Sequence, residues 1–118
     1  MVNLAINGVG RIGKLVLKLL ISKNFKIKYL NELNGDSASL LHSLEFDSIH
    51  GKWDCNFQAD KNFVKINNET IKTSFSNDID NLDLEKIDIL IDCTGANKKT
   101  SILQKYFNKG VKKVIVSA

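Results

Sequence analysis

The feature that most limits what this chain can fold into is a set of three glycines, Gly8, Gly10 and Gly13, in G-x-G-x-x-G spacing. The apolar run Leu4-Ala5-Ile6 precedes them, and Leu15, Val16, Leu19 and Leu20 follow at helical intervals. Strand, tight turn and helix N-terminus in that order form the unit that binds the pyrophosphate of a dinucleotide. Gly8 can adopt the backbone dihedrals of a sharp turn. A side chain at Gly10 would block the approach of a pyrophosphate, and one at Gly13 would hold the helix off the strand. The amides of Gly10, Arg11 and Ile12 are then left at the positive end of the helix, where an anion binds. Taken alone, the spacing also fits an ordinary glycine-rich turn. Glu32 narrows the choice. It lies nineteen positions after Gly13, just past the apolar run 27–30, where an acidic side chain takes a ribose hydroxyl pair in this fold.

With 118 residues the chain has room for one domain with a real core. It contains no apolar run of about twenty residues, so no membrane span is expected. The strand begins within the first residues, so no signal peptide is expected either. The two cysteines, Cys55 and Cys93, are too few and too far apart for a disulfide framework or a zinc cluster. These readings point to a reduced, cytoplasmic protein. The net charge of +4 is spread along the chain, which suits anionic nucleotides better than a nucleic-acid groove.

Along the chain, a first helix is expected over residues 11–22, with Asn24 as a left-handed stop, and a second strand over 26–31. Asp36 or Ser37 caps a short helix running through Leu44 that buries Leu40, Leu41 and Leu44. His42 on that helix reads as a surface or partly packed side chain rather than a ligand. Residues 46–53 are too polar for core and too aromatic for a linker, and read as a structured loop. Three strand-like runs, 54–59, 63–66 and 70–74, form an antiparallel meander, with a polar turn over 78–86. The apolar run 87–93 reads as a central parallel strand ending at Thr94-Gly95, a place where ligands sit in open α/β sheets. A helix over 98–108, with Ile102, Leu103, Tyr106 and Phe107 inward, and a last strand over 111–117 complete the pattern. The fold class is α/β: a Rossmann-type, mostly parallel sheet with flanking helices and a small antiparallel β insertion.

Four motifs carry a family likeness. Residues 5–14, A-I-N-G-V-G-R-I-G-K, resemble the A-I-N-G-F-G-R-I-G-R start of glyceraldehyde-3-phosphate dehydrogenases. Residues 46–52, F-D-S-I-H-G-K, are similar to that family's Y-D-S-T-H-G-K segment, and D-C-T-G at 92–95 and K-K-V-I-V-S-A at 112–118 follow in family order. The resemblance implies an NAD-binding domain over residues 1–118, with the catalytic domain absent from this chain. It implies that Asn7 and Gly8 shape the turn and that Gly10, Arg11 and Ile12 face the cofactor, Ile12 also packing toward the nicotinamide. Asn31 and Glu32 stand at the adenosine ribose, and Thr94, Gly95 and Ser117 line the nicotinamide side.

Glu32 stands where most of the family has Asp, and its carboxylate would repel the 2′-phosphate of NADP, so NAD is the expected cofactor. Asn77 replaces an arginine near the family's adenine pocket, and Asn97 replaces an aromatic. The family's nucleophilic cysteine lies in an S-C-T-T-N segment that these residues do not contain. Cys93 reads instead as a small core side chain and His50 as structural, so no catalytic or metal-binding residue is expected and the fragment alone is expected to be inactive. For the full-length protein the resemblance implies glycolytic oxidative phosphorylation of an aldehyde phosphate through a thioacyl-enzyme, and a homotetramer. Asn31-Glu32-Leu33 is closer to the sister enzyme erythrose-4-phosphate dehydrogenase. A stand-alone nucleotide-binding module is the alternative of another class.

Overall fold

The first strand, β1 (Asn3–Asn7), is buried from Leu4 onward, and that requires protein on both of its faces. Leu4 and Ile6 point to one layer and Ala5 to the other, as alternation along a strand demands. The computed structural model describes residues 2–33, 35–51, 57–67, 69–97 and 99–117, with side chains described only through Leu44 in the helix that ends at Gly51.

Helix α1 (Arg11–Ser22) follows β1 and strand β2 (Lys26–Asn31) follows α1, both at the expected bounds. Asn24 ends the helix with a φ of 63°, the left-handed stop its amide side chain tolerates. Gly13 and Leu17 face the sheet, whereas Leu15 and Leu19 are more than half exposed.

Helix α2 (Ser37–Gly51) is capped by Asp36, whose Oδ1 accepts from the backbone amide and the hydroxyl of Ser39, both at 2.8 Å. Those bonds, the backbone one foremost, hold the Asp36 carboxyl below its usual range. Leu40 and Leu44 are buried and Leu41 half-buried. The helix continues to Gly51, so the structured loop expected from residue 46 is helical over 46–51. No proline or glycine interrupts residues 38–50, and the apolar positions there have no clear helical period by which to mark the continuation. The rest of that expected loop, 52–53, lies outside the described residues, as do 54–56 of the first expected meander strand.

Strands β3 (Phe57–Ala59), β4 (Phe63–Ile66) and β5 (Glu69–Ser74) form the antiparallel meander. It is continuous with the main sheet, because β5 also pairs in parallel with β2. A 3-10 turn (Ile79–Asn81) falls in the expected polar turn, and Ile79, Leu82 and Leu84 from this region are buried. Strand β6 (Ile89–Asp92), helix α3 (Thr100–Asn108) and strand β7 (Lys113–Val116) finish the fold. On α3, Tyr106 is fully buried but Phe107 is 42% exposed, not inward. The next residue lies about 100° further round a helix, and Tyr106 takes the core position.

The seven strands form one sheet in the order β3-β4-β5-β2-β1-β6-β7, with β5, β2, β1, β6 and β7 parallel. Residues of α1 and α2 pack on one face and those of α3 and the 3-10 turn on the other. Among the described residues no helix is long and apolar enough to cross a membrane, and no group of His, Cys, Asp and Glu could hold a metal ion.

Candidate functional site

Strands β1 and β6 are neighbours, but the helices that follow them cover opposite faces of the sheet. A crevice opens at the carboxyl ends of two such strands, because the chain departs from it in both directions. Here it is a cleft of about 270 Å³, bordered by Asn7, Gly8, Gly10, Asn31, Glu32 and Thr94, with Leu33, Ser76, Asn77 and Ala96 among the others that line it.

The glycines shape it in different ways. Gly8 has a φ of +96°, and a Cβ there would sit 2.8 Å from the Thr94 amide nitrogen, so the turn after β1 packs directly on the turn after β6. A Cβ on Gly13 would fall 2.0 Å from the Gly8 carbonyl oxygen, which ties α1 to the same turn. At Gly10 a Cβ would meet nothing within 4 Å. This glycine borders open space in the cleft. It is also the N-cap of α1, with no side-chain cap and no acidic residue in the first turn. The first amides of α1 therefore keep their positive end uncompensated by the helix's own side chains.

At the end of β2 the Glu32 amide donates to the Ser74 carbonyl at 3.1 Å, and one carboxylate oxygen accepts from the Leu33 amide at 2.7 Å. Asn31 is buried beneath it, and its amide group is fully occupied. The Asn31 Nδ2 donates to Asn7 Oδ1 and to the Ser76 carbonyl, both at 2.8 Å. Its Oδ1 accepts from Ser74 Oγ at 2.5 Å and from the Ser76 amide at 3.1 Å. All four hydrogen-bonding positions of that side chain are thus used inside the protein.

The strand register explains this. Ser74 is paired with Asn31, Asn31 with Asn7, and Asn7 with Asp92, so four polar residues form one row across the ends of β5, β2, β1 and β6. Tyr106 reaches the row from α3: its Oη accepts from Asn7 Nδ2 at 2.7 Å and donates to Asp92 Oδ2 at 2.6 Å. Tyr29 meets the other end, donating to Ser74 Oγ. Donors therefore run head to tail from Tyr29 through Ser74, Asn31, Asn7 and Tyr106 to the Asp92 carboxylate, an arrangement in which each bond polarises the next. Burial, then the bond to Asp92, pushes the Tyr106 phenol well up.

Asp92 is fully buried and carries the turn that follows β6. Its Oδ1 accepts from the Thr94 amide at 2.9 Å and the Thr94 hydroxyl at 2.7 Å, and its Oδ2 from Asn97 Nδ2 at 2.9 Å. Its backbone carbonyl accepts from the Ser117 amide at 2.9 Å. Among the described residues no buried side-chain nitrogen or oxygen lacks a partner.

The structure brings six of the sequence-predicted residues to the cleft wall: Asn7, Gly8, Gly10, Asn31, Glu32 and Thr94. Arg11 and Ile12 are exposed on the first turn of α1, just outside that wall. Gly95 follows Thr94 with a φ of +73°, and Ser117 sits at the end of β7 beside the Cys93 thiol. Burial, then the Asp92 charge, pushes that thiol up, and the Ser117 hydrogen bond opposes them. Cys93 packs against the aliphatic core, and His42 is exposed on α2. Cys55 and the side chain of His50 lie outside the described residues. Sequence reasoning assigned no site role to Asp92 or Tyr106. The available signal was an aspartate closing an otherwise apolar strand, a charge that burial obliges to find donors.

Residues 2–100 match the family described as glyceraldehyde 3-phosphate dehydrogenase, NAD binding domain. The chain is 32% identical over 120 residues to glyceraldehyde-3-phosphate dehydrogenase 3 of a Nostoc species, covering 99% of this chain and 36% of that protein. Identity is 35% over 120 residues to glyceraldehyde-3-phosphate dehydrogenase 1 of Bacillus subtilis, with the same 99% and 36% coverage. Against glyceraldehyde-3-phosphate dehydrogenase 3 of Kluyveromyces marxianus it is 37% over 123 residues, covering 100% of this chain and 37% of that protein. The chain thus spans about a third of the length of these relatives. With a Rossmann-type sheet, a glycine turn at its switch point and a match over residues 2–100, the chain belongs to the glyceraldehyde-3-phosphate dehydrogenase family, through that family's NAD-binding domain.

Proposed function

We propose that the cleft between β1 and β6 is the NAD site of a phosphorylating aldehyde dehydrogenase. The amides of Gly10, Arg11 and Ile12 hold the pyrophosphate, and Gly8 shapes the turn beneath them. The Glu32 carboxylate takes the adenosine ribose, while Thr94, Gly95 and Ser117 border the nicotinamide half and Ile12 packs toward the ring. Asn7 and Asn31 act by holding the strand ends, since the Asn31 amide is spent on neighbouring protein groups.

The observation that carries this reading is the open space over Gly10 at the uncapped start of α1. A neutral turn with no ligand would gain from a capping serine or aspartate there, and an aspartate would repel a phosphate. The fit to a dinucleotide is therefore chemical as well as spatial. Bound NAD supplies the ring that accepts a hydride. This chain's residues bind and orient it.

In the full-length protein the reaction is oxidation and phosphorylation of glyceraldehyde 3-phosphate, in the cytoplasm, by a homotetramer. The nucleophilic cysteine and its histidine base belong to a second, catalytic domain. Two features support their lying outside these residues: Cys93 has a thiol pushed up by burial, and His42 is exposed on α2. The chain alone is then inactive.

Calorimetric titration tests the site. NAD should bind and NADP should bind about tenfold more weakly or worse, because Glu32 repels a 2′-phosphate. Glu32→Gln should narrow that gap, and equal affinity of the parent for both nucleotides would remove the role given to Glu32. Turnover by the full-length protein then separates substrates: preference for erythrose 4-phosphate would make it the sister enzyme. A chain that binds mononucleotides as tightly as NAD would be a stand-alone nucleotide module instead.

A further inference from the structure

The polar row across the strand ends has direct side-chain bonds from Ser74 to Asn31 and from Asn31 to Asn7, but between Asn7 and Asp92 the link is the hydroxyl of Tyr106. Asn7 leads into the glycine turn, and Asp92 holds the Thr94 amide, the Thr94 hydroxyl and Asn97. Among side chains, one oxygen atom therefore joins the two turns that border the cleft, beside the backbone bond from the Cys93 amide to the Asn7 carbonyl at 2.7 Å. The backbones of those turns are already in close packing at Gly8 and Thr94, where a Cβ would come within 2.8 Å. A small change in their separation would move the Thr94 amide relative to the first turn of α1.

We propose that Tyr106 is a positioning residue for the cofactor site: its hydroxyl sets the spacing between the glycine turn and the Thr94-Gly95 turn. It does not touch the cofactor. It acts through Asn7 and Asp92, from a fully buried position on the helix behind the sheet. The assignment rests on reading the cleft as the NAD site, and its test separates the two ideas.

The variant is Tyr106→Phe, which keeps the buried ring and removes only the bridging oxygen. Asn7 Nδ2 and Asp92 Oδ2 then each lose a partner, as does Asn97 Nδ2 its 3.5 Å bond to the hydroxyl, while Asp92 keeps its bonds to Thr94 and Asn97. Two readouts are compared with the parent and with Ile71→Val, a buried change on the other side of the sheet that serves as the stability control. Without ligand, amide exchange at Thr94 should rise about tenfold in Tyr106→Phe and stay at the parent level in Ile71→Val. With NAD, the dissociation constant of Tyr106→Phe should rise about tenfold, and that of Ile71→Val should not change.

Unchanged exchange and affinity in Tyr106→Phe, or equal losses in both variants, would overturn the positioning role. If the parent itself does not bind NAD, the reading of the cleft has failed, and exchange at Thr94 alone decides whether Tyr106 spaces the turns. Should Tyr106→Phe not fold, incorporation of 3-fluorotyrosine, with Tyr29→Phe to assign the signals, gives a second route. The Tyr106 fluorine resonance should then move when NAD is added, and a stationary resonance in an NAD-bound protein overturns the proposal.

Discussion

The two faces of the sheet are built on different principles. Under α1 and α2 the buried side chains are mostly aliphatic, among them Leu4, Ile6, Leu17, Leu30, Leu44 and Ile71, with one hydroxyl pair, Ser37 and Thr73, at 2.8 Å. Under α3 and the 3-10 turn the core includes Tyr29 and Tyr106, both buried, whose hydroxyls reach the ends of the strands. Aliphatic burial stabilises in proportion to area, at about 25 cal/mol per Å², and has no preferred direction. A buried phenol adds ring area but must also find partners, so it constrains where those partners lie. One face holds the domain together. The other connects that packing to the geometry of the cleft.

Three measurements press on this contrast. The largest effect is expected from Leu17→Ala, because Leu17 is fully buried on the aliphatic face and truncation leaves a cavity. Unfolding stability should fall by about 2–5 kcal/mol, while the NAD affinity of the folded protein is unchanged. A large affinity loss would mean that the aliphatic face also controls the cleft.

Next comes Tyr29→Phe, on the other face. Its hydroxyl donates to Ser74 at the head of the hydrogen-bonded row and accepts from the Asp83 amide at 3.4 Å. Stability should drop by about 1 kcal/mol, with a modest weakening of NAD binding. Equal weakening by Leu17→Ala and Tyr29→Phe, per unit of stability lost, would erase the distinction between the faces.

The smallest effect is a matter of slope. Burial and the bond to Asp92 raise the Tyr106 phenol in the folded state, whereas an unfolded tyrosine ionises near pH ~10. Above that pH the unfolded chain has released a proton that the native state still holds. Stability contributed by Tyr106 is therefore whole below pH ~10 and is lost as pH rises toward the folded-state value. Urea midpoints between about pH 8 and 11 should fall more steeply for the parent than for Tyr106→Phe. Parallel slopes would show that the buried phenol is not what the alkaline limit reports.

Much of the site was legible because its signals are local. The glycine spacing, the end of α1 at Asn24 and the Asp36 cap each depend on residues within a few positions of one another. Glu32 lines the cleft at the expected position because a strand–helix–strand unit has a nearly constant length. The extension of α2 to Gly51 was not legible, since its apolar residues lack a helical period and nothing in them marks a loop except polarity. Phe107 misled for a related reason: its spacing from Leu103 is helical, but only contact with the sheet decides which side of α3 is buried.

The order of strands and helices, the glycine turn after β1 and the acidic residue at the end of β2 all came from the sequence alone. Those follow from dihedral preferences, capping and periodicity, which act over one or two turns of chain. Long-range packing sets β5 beside β2, spends the Asn31 amide on protein and lets Tyr106 join Asn7 to Asp92. Asn7 and Tyr106 stand 99 positions apart. No local preference links them. The register of the sheet sets Asn7 beside Asp92, and burial obliges both to find a partner, which the helix packed behind them supplies.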